Sequence, residues 1–232
     1  MTQRIAIVTG ANGGLGESMC KALVEQGRKV IGTFAPGHDA AAASWQEEMK
    51  QQGFDITMKE VESSEGSVDV LVNNAGITRD APLKKMQSEQ WQAVINTNLN
   101  SMFNMSQPVF EAMCNRGWGR IVNISSLNGE KGQFGQANYS AAKAGIYGFT
   151  KAIAQEGAKK GVTVNSVSPG YIDTPMVRQV PENVLNSIVG GIPVGRLGQP
   201  EEIARAVSFL TADDAGFITG TNISVNGGQY MA

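Results

Sequence analysis

Tyr139 and Lys143 stand four residues apart in the run Tyr139-Ser140-Ala141-Ala142-Lys143. On a helix that spacing puts a phenol and an ammonium on one face. A phenol with an ordinary pKa of about 10 is a slow acid at neutral pH, and a neighbouring ammonium favours its anion and draws the pKa down. Such a pair can hand a proton to an oxygen that is becoming an alkoxide, provided a third group holds that oxygen. Ser126 is placed to do so. It closes the strand-like run Ile124-Ser125-Ser126 and precedes Tyr139 by a loop, so strand end and helix start can meet where α/β sheets bind ligands. The spacing alone is weak, because Tyr147 and Lys151 repeat it without an equivalent serine upstream and read as helix surface or core. Ser140 and Lys143 also fit the S-x-x-K pattern of an acyl hydrolase, but the S-D-N and K-T-G partners of that chemistry are absent.

The elements that must position these groups alternate along the chain. Short apolar, β-branched runs at 5–9, 29–33, 56–61, 68–73, 120–125, 162–167 and 222–225 read as strands. Longer stretches at 15–26, 88–116, 138–159 and 200–212 read as helices, with Gly27, Gly117 and Gly161 as C-terminal stops. The pattern predicts one α/β domain over residues 1–232, a Rossmann-like, doubly wound parallel sheet with helices on both faces. One connection is irregular. Only residues 62–67 separate the third and fourth strands, whereas parallel neighbours need a crossover of about a dozen residues or more. The chain is shortened there, or a segment is missing from it.

Directly after the first strand comes Thr9-Gly10-Ala11-Asn12-Gly13-Gly14-Leu15-Gly16, with the next helix starting inside it. Glycines permit a tight turn and close backbone approach, and a helix N-terminus offers free N–H groups to phosphate. A strand before and a helix after make this a dinucleotide site, with Gly10, Asn12, Gly13, Gly14, Leu15 and Gly16 as its cradle.

Composition narrows the remaining classes. A net charge of −2 with scattered Lys and Arg argues against a nucleic-acid surface. No stretch approaches the length of a membrane span, and no charged lead with an apolar signal segment opens the chain, so a cytoplasmic location is expected. Cys20 and Cys114 have no His or Cys at ligand spacing, so no metal site is expected, and His38 is the single histidine.

Together, Thr9–Gly16, Asn73-Asn74-Ala75-Gly76, Asn98, Ser126, Tyr139, Lys143 and Pro169-Gly170 make the chain resemble the short-chain dehydrogenase/reductase family over nearly its whole length. Within it the chain resembles the acetoacetyl-CoA reductases of polyhydroxybutyrate synthesis, on Gly76-Ile77-Thr78-Arg79-Asp80, Arg116-Gly117-Trp118-Gly119-Arg120, Lys131-Gly132-Gln133-Phe134-Gly135-Gln136 and Pro169-Gly170-Tyr171-Ile172. Several of these stretches are shared with 3-oxoacyl-carrier-protein reductases.

The resemblance implies a catalytic set of Asn98, Ser126, Tyr139 and Lys143. Ser126 would hold the substrate carbonyl, Tyr139 would protonate the alkoxide, Lys143 would tune Tyr139 and bind the ribose, and Asn98 would anchor a proton-relay water. Asn74, Ala75 and Gly76 would line the adenosine and ribose side, and Pro169, Gly170, Ile172 and Thr174 the nicotinamide. Asp80, Gln133, Phe134, Gln136 and Tyr171 would contact an acyl-CoA substrate, under a flap spanning 173–199. A homotetramer is also implied. A cofactor-sensing protein without activity is disfavoured because no catalytic member is missing.

The second strand ends in Thr33-Phe34-Ala35-Pro36-Gly37-His38-Asp39, followed by Ala40-Ala41-Ala42-Ala43. Neither the acid that grips the ribose diol of NAD nor the arginine that grips the phosphate of NADP stands there. His38 could attract the phosphate and Asp39 repel it. The cofactor is therefore NADPH or NADH, with relaxed or NADH-leaning choice.

Overall fold

The computed structural model describes residues 3–35, 37–59 and 68–231. Seven strands form one sheet: β1 (Ile5–Val8), β2 (Lys29–Thr33), β3 (Ile56–Lys59), β4 (Val68–Asn73), β5 (Gly119–Ile124), β6 (Val162–Pro169) and β7 (Asn222–Val225). Their order is β3-β2-β1-β4-β5-β6-β7. Every pair is parallel, in registers such as Ile5 with Lys29, Val70 with Arg120 and Ile121 with Val164. The helices are α1 (Gly14–Glu25), α2 (Asp39–Gln51), α3 (Ser88–Ile95), α4 (Ser101–Arg116), α5 (Leu127–Lys131), α6 (Ala137–Ala158), α7 (Pro175–Arg178), α8 (Glu182–Gly190) and α9 (Pro200–Thr211).

Both sheet faces are buried, as a parallel sheet requires. Alternate residues of each strand serve opposite layers. Ala6, Val8, Val70, Val72 and Val122 pack with Met19 and Leu23 of α1, Trp45 and Met49 of α2, and Ile203, Val207 and Leu210 of α9. Ile7, Ile31, Leu71, Ile121 and Val164 pack on the other side with Met113 of α4 and Ala154 of α6. This is the doubly wound sheet that the alternation of elements predicts.

Three local differences have physical causes. The helix expected over 88–116 runs that whole length but is not uniform: between α3 and α4 the chain makes a π-helical turn, Asn96–Asn100. A wide turn of this type inserts an extra residue and is frequent at functional sites. Second, α2 at 39–51 adds a helix to those expected, and its buried side is just Ala42, Trp45 and Met49. Third, β3 and β4 are not neighbours. β3 is the sheet edge, and β2 and β1 lie between it and β4. Residues 60–67, including the end of the expected third strand and the short connection, lie outside the described residues.

The turn after β1 is set by its glycines. Gly10 takes a φ of +64°, accessible to few side chains, and a Cβ on Gly16 would fall 2.2 Å from the carbonyl oxygen of Gly10. Helix α1 can begin this close to the strand only because Gly16 has no side chain. Gly16→Ala is therefore expected to destabilise the fold by about 1–3 kcal/mol, the usual cost of overpacking. Urea denaturation would show it as a lower midpoint at unchanged slope, and an unchanged midpoint would refute the constraint.

Candidate active site

A cavity of about 930 Å³ opens at the C-terminal ends of the strands, where β1 meets β2 on one side and β4 on the other. This is the crevice in which doubly wound sheets bind ligands, and its volume suits one large organic ligand. Gly10, Asn12, Gly13, Gly14 and Leu15 line one end, beside Thr33, Phe34 and Ala35. Asn74, Ala75 and Gly76 form a wall, Ser126, Tyr139 and Lys143 the other end, and Pro169, Gly170, Tyr171, Ile172 and Thr174 a further side. Gly16 lies beneath the turn and is buried.

The glycine turn leaves backbone N–H groups open at one end of the cavity. No side chain caps α1 at Gly13, so its first N–H groups face the cavity end without a side-chain acceptor. A Cβ on Gly14 would come within 3.1 Å of the Thr174 side chain, so the loop and the residues after β6 already stand close. Thr9 staples the two strand ends. Its hydroxyl oxygen accepts from the N–H of Asn74 at 2.9 Å and of Ala75 at 3.0 Å, while the Asn74 side-chain amide donates to the carbonyls of Thr9 and Gly10.

Ser126 caps α5. Its Oγ accepts from the N–H of Asn128 at 3.1 Å. One lone pair is thus engaged and the hydroxyl proton is left to point elsewhere. Tyr139 sits in the first turn of α6, its N–H held at 2.7 Å by the side chain of Asn138. Asn138 is fully buried and donates to the carbonyls of Arg79 and Gln90, so it fixes the start of α6 against two other segments.

Lys143 is 3% exposed, and its ammonium donates to the carbonyl of Ile124 at 2.8 Å. Glycines make room for it: a Cβ on Gly129 would lie 2.8 Å from the Lys143 backbone, and one on Gly76 3.5 Å from Nζ. Burial lowers its pKa to about 8. Its Nζ lies 5.7 Å from the centre of the Tyr139 ring. The Tyr139 phenol is pushed up from its ordinary pKa, first by burial; the Ser126 hydroxyl counteracts this, and the charges of Asp80 and Tyr147 add to it. Desolvation is the largest influence on the phenol, and the Lys143 ammonium is bonded to Ile124.

Asn98 is completely buried in the π turn and does not line the cavity. Its Oδ1 accepts from the N–H of Ile77 at 2.8 Å and its Nδ2 donates to the carbonyl of Ile77 at 2.9 Å. Gly76 separates it from Lys143, since a Cβ there would meet Asn98 Oδ1 at 3.4 Å and Lys143 Nζ at 3.5 Å.

Of the residues expected at the substrate, Tyr171 lines the cavity and Asp80, Gln133, Phe134 and Gln136 lie outside its lining. They form a separate rim. Gln136 donates to the Asp80 carboxylate at 2.8 Å and accepts from Asn128 at 2.9 Å, Gln133 accepts from Lys131, and Phe134 is 86% exposed. Of the segment 173–199, Thr174, Pro175 and Val177 line the cavity, and its start is pinned by Asp173, which holds Arg178 in a two-pronged ion pair at 2.7 and 3.0 Å. Neither His38 nor Asp39 lines the cavity.

Two residues serve other ends than their spacing suggests. The Ser140 hydroxyl has no hydrogen-bond partner among the described residues, and the ammonium it would need is bonded to Ile124, so the hydrolase arrangement is not assembled. Tyr147 is not merely helix surface or core, since its hydroxyl reaches the carbonyl of Ser126. Sequence reasoning also passed over Asn128, Asn138, Phe34 and Ala35, whose roles depend on contacts with distant segments and leave no local signature.

Residues 4–185 match the model of the short chain dehydrogenase family. The chain is 56% identical over 240 residues to an acetoacetyl-CoA reductase of Rhizobium meliloti, covering 99% of each. It is 52% identical over 246 residues to an acetoacetyl-CoA reductase of Cupriavidus necator, covering 100% of each. A 3-oxoacyl-[acyl-carrier-protein] reductase of Vibrio harveyi is 44% identical over 238 residues, covering 98% of each. The Cupriavidus alignment spans 246 positions against 232 residues here, so 14 positions have no residue in this chain. With its parallel nucleotide-binding sheet and the Ser126, Tyr139 and Lys143 constellation at the strand ends, the chain belongs to the short-chain dehydrogenase family.

Proposed function

We propose that the chain reduces acetoacetyl-CoA, a 3-oxoacyl thioester, to the 3-hydroxyacyl thioester with a nicotinamide cofactor. The observation that carries this reading is the convergence of Ser126, Tyr139 and Lys143 at one end of a cavity whose other end is the glycine cradle. The acyl-CoA assignment is supported by the relatives of that activity, which are more similar to the chain than the carrier-protein reductase is. As in the enzymes it resembles, the product would feed polyhydroxyalkanoate synthesis in the cytoplasm, and the protein would act as a homotetramer. Exposed Phe103, Phe209 and Phe217 offer apolar surface for that assembly.

The glycine cradle and the N-terminus of α1 would hold the pyrophosphate, Asn74 to Gly76 the adenosine and ribose side, and Pro169, Gly170, Ile172 and Thr174 the nicotinamide. When bound, the nicotinamide supplies the hydride to the ketone carbon. Ser126, its Oγ oriented by Asn128, turns its proton to the carbonyl oxygen and holds it as negative charge develops. Tyr139 then gives that oxygen its phenolic proton. The raised pKa keeps the phenol protonated at neutral pH, so the acid is loaded before reaction. Lys143, with one of three protons taken by Ile124, is the cation beside the phenolate as it forms. Asn98, next to Lys143 across Gly76, would support the water that returns the proton.

Cofactor choice follows from charge. Among the described residues Lys143 is the single charged one in the cavity lining, and it stands beside Ser126 and Tyr139. At the adenosine end, Thr33, Phe34 and Ala35 offer a 2′-phosphate no cation, and a buried phosphate without one is costly. NADH is therefore the preferred donor.

Initial rates with acetoacetyl-CoA should give a kcat/KM for NADH about tenfold above that for NADPH, the worth of one missing charge-assisted contact. Tyr139→Phe should lose at least about 100-fold in kcat, the contribution of a positioned acid. Equal or better rates on a 3-oxoacyl carrier protein would move the assignment to that substrate, and an active Tyr139→Phe enzyme would remove the mechanism.

The pH profile has a defined sign. Lys143 is charged below about 8 and neutral above it, while Tyr139 holds its proton to higher pH. Reduction should thus fall as pH rises through about 8. A kcat/KM profile for reduction that stays flat well into the alkaline range would show that the Lys143 charge is not required.

A further inference from the structure

The peptide of Ser126 is held by a residue outside the catalytic set. Tyr139, Lys143 and Tyr147 follow one another at four-residue steps on α6 and so share one face. The hydroxyl of Tyr147 lies 3.0 Å from the carbonyl oxygen of Ser126 and 3.0 Å from the hydroxyl of Ser168.

A carbonyl oxygen only accepts, so Tyr147 is the donor to Ser126. The fully buried Ser168 gives its own proton to Oδ1 of Asn222 at 2.9 Å and meets the phenol as a second acceptor at 3.0 Å. Oδ1 of Asn222 also accepts from Ser166 at 2.9 Å, and its Nδ2 donates at 2.7 Å to Glu130 in α5. Tyr147 is thus oriented from β6 and β7 and aimed at the residue that caps α5.

The other bonds to Ser126 are local. Its carbonyl accepts from the N–H of Gly129 at 2.9 Å and its Oγ from the N–H of Asn128, and both donors belong to the five-residue α5 that it caps. These bonds move with α5. The Tyr147 bond instead ties the Ser126 peptide to α6, the helix that carries Tyr139 and Lys143. Ser125, one residue earlier, makes a parallel tie from its hydroxyl to the carbonyl of Lys143 at 2.8 Å.

We propose that Tyr147 is a positioning residue of the reduction: by donating to the Ser126 carbonyl it sets the Ser126 hydroxyl at its distance from the Tyr139 phenol. This rests on the reading of Ser126 as the group that holds the substrate carbonyl. Its effect belongs to the reacting arrangement, so it should move kcat and leave the binding of NADH and thioester nearly unchanged.

The test is a double-mutant cycle with Tyr147→Phe, Ser126→Ala and the double variant, assayed on acetoacetyl-CoA with NADH and by thermal melting. Tyr147→Phe should lower kcat about tenfold, the worth of one hydrogen bond, at little changed KM and melting temperature. In the Ser126→Ala background the same change should leave kcat within about twofold, because nothing remains to be positioned. A parental kcat in Tyr147→Phe, or an equal loss with and without Ser126, overturns the proposal. Should Tyr147→Phe fail to fold, Tyr147→4-fluorophenylalanine keeps a substituent at the para position and removes the donated proton; a several-fold loss of kcat that vanishes without Ser126 supports the proposal, and any other pattern overturns it. Full activity in Ser126→Ala alone would instead strike the underlying reading of Ser126, and the proposal with it.

Discussion

Lys143 carries an ammonium to a place almost without solvent, and the one backbone acceptor that meets it is the last residue of β5, Ile124. Burying a charge this way disfavours the charged form, as the lowered pKa shows, and the fold compensates with a short hydrogen bond rather than a carboxylate. Much else depends on that contact. It locks the middle of α6 to the end of β5, so that Ser126 two residues further on and Tyr139 one turn earlier cannot drift apart. Glycines at 76 and 129 are the space it requires, and the Ser125 hydroxyl bonds the Lys143 carbonyl from the other side.

The interior around this contact is unusually polar for a parallel sheet. Asn73 of β4 donates to Asn123 of β5 at 2.8 Å and to Ser106 of α4, and Asn123 donates in turn to Thr150 of α6 at 2.9 Å. Four elements are thereby joined by side-chain amides and hydroxyls where apolar packing would tolerate sliding. Hydrogen bonds have direction and leave an unsatisfied group costly when broken, so such a network specifies one arrangement. Asn98 does the same for the π turn, spending both ends of its amide on Ile77. The irregular turn lets a helix otherwise continuous from α3 to α4 deliver that amide beneath the wall of the cavity.

The two ends of the cavity are positioned by different physics. The cradle end is defined by what is absent: Gly10, Gly14 and Gly16 permit approaches that any Cβ would block, and α1 starts without a side-chain cap. The other end is defined by what is present, a set of directional bonds on Ser126, Tyr139 and Lys143.

The amino-acid sequence by itself determined the sheet, because apolar β-branched runs between helical stretches have few other ways to be buried. It also determined the cradle, where glycine spacing after a strand is a local property, and it singled out Ser126, Tyr139 and Lys143 by type and order. It left Tyr147 as a chance repeat of the same spacing, since its value lies in a carbonyl 21 residues away in sequence. Tertiary structure alone decided that, along with the π turn at Asn98 and the edge position of β3 far from β4. Each of these depends on burial or on a partner brought by a distant segment, and neither burial nor proximity is written in local spacing.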